Sequence, residues 1–345
     1  MKRLLIDPLP GRLPYENRRT IRVKAKFAGM RFIDFLCQYH PPTPRQSWLR
    51  WIDDGDIQFK SSAVEAARVV HAGDHYVHVM RQVTEPDVNA SIGILHQDGS
   101  MVVVDKPAPL PIHPCGRFNR NSLLSMLQPF YPGEKLRLAH RLDANTTGVV
   151  LFCRTREAAR FVQPQFERRE VGKLYLTRVV GHVPWETFCC ERPIANASEH
   201  LGHDTAGARF ASQGGLPART EFHVVGRLAD QTTLLHAVPV TGRTNQIRVH
   251  LWSLGFPVLG DLLYRPGGVL GNQQTHSLLD PPLCLHAHRL SLTDPNLGQP
   301  VQFESPKPDW WQEPRRSHAT TARDYCKSDS ATTTANRFNL CQQNC

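Results

Sequence analysis

The stretch His140-Arg141-Leu142-Asp143-Ala144-Asn145-Thr146-Thr147-Gly148 sets a guanidinium and a carboxylate two residues apart, just ahead of the apolar run Val149-Val150-Leu151-Phe152-Cys153. A loop aspartate is most often a turn former or a cap. Here a second segment about a hundred residues later, Thr241-Gly242-Arg243-Thr244-Asn245-Gln246-Ile247-Arg248-Val249-His250, supplies the cations that a working carboxylate needs. An opposite charge nearby keeps a carboxylate ionised and orients it.

The two segments, in this order, resemble the RluA-type pseudouridine synthases. That signature reads H-R-L-D, two residues, T-[ST]-G, and later G-R-[ST]-H-Q-[IL]-R-V-H; this chain departs from it at Asn245, which stands in place of His. The resemblance implies an α+β catalytic domain with a largely antiparallel central sheet. It also implies a reaction that breaks the bond from ribose carbon 1′ to uracil nitrogen 1, turns the base and rejoins it through carbon 5. No redox change or external energy enters, so no cofactor is implied.

In that resemblance Asp143 attacks covalently or abstracts a sugar proton, two options the sequence leaves open. Arg248 pairs with the aspartate, and Arg141 fills the space the base vacates or holds a flanking phosphate. Tyr175, in Lys173-Leu174-Tyr175, stacks on the flipped uracil and is a candidate for assisting proton removal at carbon 5. Ile247 forms an apolar wall. Asn245 can still donate and accept hydrogen bonds, and no acid-base role falls on His140 or His250. Lys106-Pro107 and His113-Pro114 resemble the family's first motif, whose role is architectural; Lys106 is given no chemistry. The target RNA, ribosomal or transfer, is not readable, although His113-Pro114-Cys115-Gly116-Arg117-Phe118 looks somewhat like members acting on tRNA.

Composition agrees with an RNA partner without requiring one. The 345 residues allow two domains, and 41 Lys+Arg against 31 Asp+Glu give a formal charge of +10, which favours a polyanion. The nine cysteines are scattered, with no C-x-x-C pair, which argues against a zinc site or a disulfide framework. Cys284, His286 and His288 alternate as a half-buried strand does, so no metal is expected. Without a signal segment after Met1-Lys2-Arg3 or an apolar run of membrane-spanning length, the expectation is a cytoplasmic monomer.

Residues 1–19 read as an irregular arm. Residues 20–82 carry two helical patterns separated by Pro41-Pro42-Thr43-Pro44, then short strands turned by Asp54-Gly55 and Ala72-Gly73-Asp74. With Arg45, Ile52, Gly55 and Ile57 they resemble the S-four-like RNA-binding domain, which makes Arg45, Arg50 and Lys60 candidates for RNA phosphates. Trp48 and Trp51 lie at core spacing. Residues 83–91 read as a polar linker, 92–308 as the catalytic domain and 309–345 as a disordered polar tail. In the catalytic part Asp98-Gly99 predicts a hairpin, Pro164 should kink or interrupt the helix over 155–169, the Gly-rich stretch 195–218 reads as an insertion, and Thr244 is a plausible N-cap.

Two other function classes compete. A non-catalytic RNA-binding or ribosome-assembly protein could keep the fold, but has no need of Asp143, Tyr175 and Arg248 together. A glycoside hydrolase would require a second carboxylate as acid, and no motif recommends Asp105 or Glu221.

Overall fold

Met101–Lys106 and Thr147–Cys153 are apolar on both faces, which only the interior of a sheet can use. Val102, Val104, Val150 and Phe152 point into one core cluster, whereas Met101, Val103, Val149, Leu151 and Cys153 point into another. The two clusters lie on opposite faces, as the two-residue period of a strand dictates. These strands centre the molecule, a computed structural model that describes residues 2–196 and 207–313.

The strands and helices are β1 (Lys2–Leu5), β2 (Tyr15–Arg22), α1 (Phe32–Tyr39), α2 (Arg45–Asp53), β3 (Ile57–Phe59), β4 (Ser62–Ala63), β5 (His75–Val83), β6 (Ser91–Gln97), β7 (Met101–Lys106), α3 (Leu123–Leu127), β8 (Arg137–Leu138), β9 (Thr147–Cys153), α4 (Arg156–Glu167), β10 (Gly172–Val180), β11 (Thr187–Cys190), β12 (Ile194–Asn196), β13 (Arg209–Ala211), β14 (Thr220–Leu228), β15 (Thr232–Pro239), α5 (Gln246–Ser253), β16 (Leu285–Thr293) and β17 (Pro300–Glu304). The large sheet runs β1-β6-β7-β9-β16-β10-β15-β14-β11, with β17 on β16 and β8 on β9. The fold is therefore the α+β class with a largely antiparallel sheet.

One pairing in that sheet is parallel and places the site. Thr147 and Gly148 of β9 lie beside His286 and Ala287 of β16. Gly148 has φ +112°, and a Cβ there would meet the Ala287 carbonyl oxygen at 2.2 Å. Only glycine lets the loop bearing Asp143 enter the sheet at this point. Gly148→Ala is expected to destabilise the protein by at least about 1–3 kcal/mol from backbone strain, read as a lowered midpoint of thermal unfolding.

A smaller sheet, β2-β5-β3-β4, packs with α1 and α2 around Phe32, Phe35, Leu36, Trp48, Ile57 and Tyr76. The proline run acts as expected: Pro44 is the N-cap of α2. Pro164 does not end α4, which continues to Glu167.

Both ends of the chain depart from the sequence reading. The expected arm is ordered: β1 pairs with β6, Lys2 opposite Ile94 and Leu5 opposite Ser91, and β2 crosses the anticipated boundary at residue 19. As an edge strand β1 is mostly exposed on both faces, so it carries no alternation to detect. At the other end Trp311 is buried against Leu176 and Leu234 and stacks on His236 at 5.6 Å. The docked chain therefore runs past residue 308, and the rest of the anticipated tail, 314–345, lies outside the described residues. In the expected insertion, β12 and β13 form a hairpin; residues 197–206 also lie outside the described set.

Candidate functional site

The loop from His140 to Thr146 is pinned through its backbone and by Asn145. The Ala144 carbonyl accepts from the Leu110 amide at 2.9 Å and from the Lys106 ammonium at 3.0 Å. Lys106 also donates to the carbonyls of Pro107 and Leu110, both at 2.9 Å. It is fully buried, and burial lowers its pKa to about 7 against the opposing pull of Asp143 and Asp105. Asn145 donates to the Gln274 carbonyl at 2.8 Å and accepts from the His276 amide at 3.0 Å. These ties leave the Asp143 side chain 25% exposed at a cavity wall.

Helix α5 delivers Arg248 from the opposite side. Its Nη1 lies 3.2 Å from Asp143 Oδ2, while its Nε and Nη2 fork onto Asp261 at 2.7 and 2.9 Å. The Arg248 and Asp261 side chains are only 4% and 0% exposed. Burial pulls the Arg248 guanidinium down, but the charge and hydrogen bonds of Asp261, with the charge of Asp143, outweigh it and hold the group above its ordinary value. Arg248 sits in the first turn of α5, where the helix dipole disfavours a cation, so a buried carboxylate partner is the physical requirement. Asp261 also accepts the Leu263 and Tyr264 amides, both at 2.9 Å.

Asn245 explains how the departure from the family signature is accommodated. Its φ is +57°, in the left-handed region that asparagine tolerates better than most side chains. It, and not Thr244, is the N-cap residue, but its side chain makes no cap bond. Instead Oδ1 accepts from Arg248 Nη1 at 3.2 Å and Nδ2 donates to the Tyr264 hydroxyl at 3.0 Å. The Tyr264 ring lies 5.0 Å from the Arg248 guanidinium carbon. Buried Gln246 braces the same turn with four bonds, to the Arg243 amide, the Thr241 and Thr220 hydroxyls and the Arg219 carbonyl.

The cavity has a volume of about 440 Å³ and is walled by Asp143, Tyr175, Ile247 and Arg248, with Arg141, Arg169, Lys173 and Arg243 also lining it. That volume falls within the range of small-ligand sites. Burial, and then the Asp143 charge, push the Tyr175 phenol above its ordinary value, so it is neutral at physiological pH. Burial and the neighbouring Arg169 lower Lys173 to about 8. His140 and His250 are structural. His140 accepts from the Leu151 amide at 3.2 Å and stacks on Phe166, and burial lowers it to about 3 with help from Lys173. His250 is bonded to Thr220 and the Arg192 carbonyl.

Five of the eight residues singled out in the sequence, Asp143, Tyr175, Arg248, Ile247 and Arg141, therefore line one cavity; Arg45, Arg50 and Lys60 do not. Arg45 is held by Asp34 at 2.7 Å. Arg50 and Lys60 are exposed, and Lys60 lies over the Phe59 ring at 5.3 Å. The sequence reading missed Asp261, Tyr264 and the buried clamp of Lys106. No group of three or more His, Cys, Asp or Glu side chains suited to a metal occurs among the described residues.

Comparison with known proteins identifies the family. The family model for RNA pseudouridylate synthase matches residues 100–253. The chain is 33% identical over 279 residues to an uncharacterized RNA pseudouridine synthase of Synechocystis sp., covering 80% of this chain and 94% of that protein. It is 33% identical over 305 residues to the ribosomal large subunit pseudouridine synthase D of Nitrosomonas europaea, covering 85% and 86% respectively. Among solved structures it is similar to human RNA pseudouridylate synthase domain containing 4, at a TM-score of 0.50 and 29% identity over 64% of this chain and 90% of that one. The matched span holds both signature segments and the strand carrying Tyr175, and on this evidence the chain belongs to the RNA pseudouridylate synthase family.

Proposed function

We propose that the chain isomerises specific uridines in structured ribosomal or transfer RNA to pseudouridine, with Asp143 acting on a nucleotide flipped into the cavity. The observation that carries this reading is a partly exposed carboxylate held at 3.2 Å by a buried arginine that a second carboxylate anchors. Extruding the base costs on the order of a few kcal/mol, and Arg141 at the cavity lining fills the gap or grips a flanking phosphate. Tyr175 stacks on the uracil, Ile247 packs its edge, and Arg248, 3.2 Å from Asp143, holds the carboxylate aimed at the nucleotide. A non-catalytic RNA-binding protein has no use for this convergence. The scattered cysteines fit a reducing cytoplasm.

Pseudouridine mapping by carbodiimide and primer extension, in cells with and without the gene, tests the function and names the uridine. Identical maps would sink it. Tyr175→Phe, which keeps the ring, is expected to slow single-turnover tritium release from uracil carbon 5 by less than about tenfold, and Tyr175→Ala by about 10²-fold through misplacement of the base. Equal losses in the two variants would shift proton removal onto the hydroxyl.

A further inference from the structure

The loop spanning residues 113–121 is bonded to the N-terminal part of the chain, and its Phe118 is buried in the core cluster of the large sheet with Val104 and Val150. Glu85, two residues beyond β5, is 6% exposed, and its carboxylate accepts the amides of Asn119, Arg120 and Asn121 at 2.8 Å each, together with the Tyr15 hydroxyl from β2. Asn121 accepts the Gly11 amide at 2.8 Å and donates to the Pro86 carbonyl at 3.0 Å. A buried carboxylate so fully satisfied is costly to open, so this seam fixes the two parts in one arrangement.

The seam gathers cations from both sides. Arg19 of β2 donates to the Gly116 carbonyl at 2.6 Å. The Arg120 guanidinium lies 3.7 Å from the centre of the Tyr15 ring. Arg117 is exposed between Cys115 and Phe118, which bridge to each other. The charge of Arg141 reaches His113 and Cys115 of the same loop. Among the described residues no carboxylate forms an ion pair with any of these four arginines, whereas Asp34 takes both Arg31 and Arg45, and Glu16 takes Arg18. Guanidinium groups positioned by a carbonyl or a ring, but not neutralised, keep N–H donors for phosphate oxygens.

We propose that this loop and β2 form a phosphate track for the RNA strand flanking the target uridine, leading from Arg141 at the cavity across Arg117 and Arg120 to Arg19. It rests on the pseudouridine synthase reading and assigns the flanking backbone to the seam, in place of Arg45 and Arg50 of α2 and Lys60 just beyond β3. Because the segment just ahead of this loop is tied to the catalytic loop, Leu110 donating to the Ala144 carbonyl at 2.9 Å, the track sets which uridine reaches Asp143.

The test uses the full chain with labelled ribosomal and transfer RNA transcripts, measuring affinity against salt and the single-turnover rate at saturating enzyme. Arg19→Gln/Arg117→Gln is expected to lower the slope of log affinity against log salt by about 1.5 units, since each phosphate contact contributes roughly 0.7–0.9. Affinity near physiological salt should fall about tenfold or more. Arg50→Gln/Lys60→Gln should change the slope by less than half as much. An unchanged slope in the first variant, or a larger effect in the second, overturns the track. Wild-type protein that binds with a slope lowered by the first variant, yet forms no pseudouridine, overturns the reaction assignment and leaves the track standing.

Discussion

Asp143→Asn is expected to abolish pseudouridine formation, lowering the single-turnover rate by about 10⁴-fold or more, while RNA affinity stays within about twofold. Stability is expected to change by less than about 1 kcal/mol, as for a partly exposed ion pair. The separation follows from how the pair is built. Asp143 contributes one bond at 3.2 Å to Arg248 and is 25% exposed, whereas the fork from Asp261 continues to satisfy the buried guanidinium when Asp143 loses its charge. The amide keeps the size of the carboxylate and its acceptor oxygen, so the cavity keeps its shape. It lacks the nucleophilic or basic oxygen the reaction requires. Tritium release from RNA labelled at uracil carbon 5, with thermal unfolding alongside, separates the two effects. Substantial turnover by Asp143→Asn would sink the assignment of chemistry to this residue.

What could be read in the chain follows from where the physical constraint lies. The signature segments are legible because chemistry demands particular residue types at fixed spacing, and the hairpin predicted at Asp98-Gly99 is the turn that joins β6 to β7. Strand order was not legible, because the one parallel pairing joins Thr147 to His286, 139 positions apart, and no local pattern encodes such a partner. Asp261 was missed because an aspartate after glycine reads as a turn. A signal did exist: an arginine in the first turn of a buried helix needs more than one partly exposed carboxylate, and Asp261 is the next acidic residue along the chain. Gly260 belongs to the same device, since its φ is +80° and a Cβ there would meet the Pro282 carbonyl oxygen at 2.1 Å. Lys106 reads as part of an architectural motif without chemistry, and only the fold reveals three carbonyls converging on its ammonium.

Asp261→Asn is expected to cost about 3–5 kcal/mol of stability, the usual penalty for stranding one member of a buried ion pair, and to slow the single-turnover rate by about 10²-fold. The amide oxygen can still accept the Leu263 and Tyr264 amides, so the loss falls on Arg248: the charge facing it and the acceptor of its Nε–H. With that charge gone, the guanidinium has only Asp143 as an anionic partner and is drawn toward it, so the carboxylate is no longer presented at its working angle. Arg248→Met should be similarly destabilising for the converse reason, because it leaves a fully buried Asp261 carboxylate with two backbone donors and no cation. The double variant Asp261→Asn/Arg248→Met removes both charges together. Its destabilisation should therefore fall short of the summed single losses by more than about 1 kcal/mol, as coupled neighbours do, although catalysis is not restored. Unfolding free energies of the four proteins from denaturant titration close this cycle. Losses that add to within about 0.5 kcal/mol would mean that Asp261 and Arg248 act independently, and that the anchoring of Arg248 by a second carboxylate is not what holds this site in place.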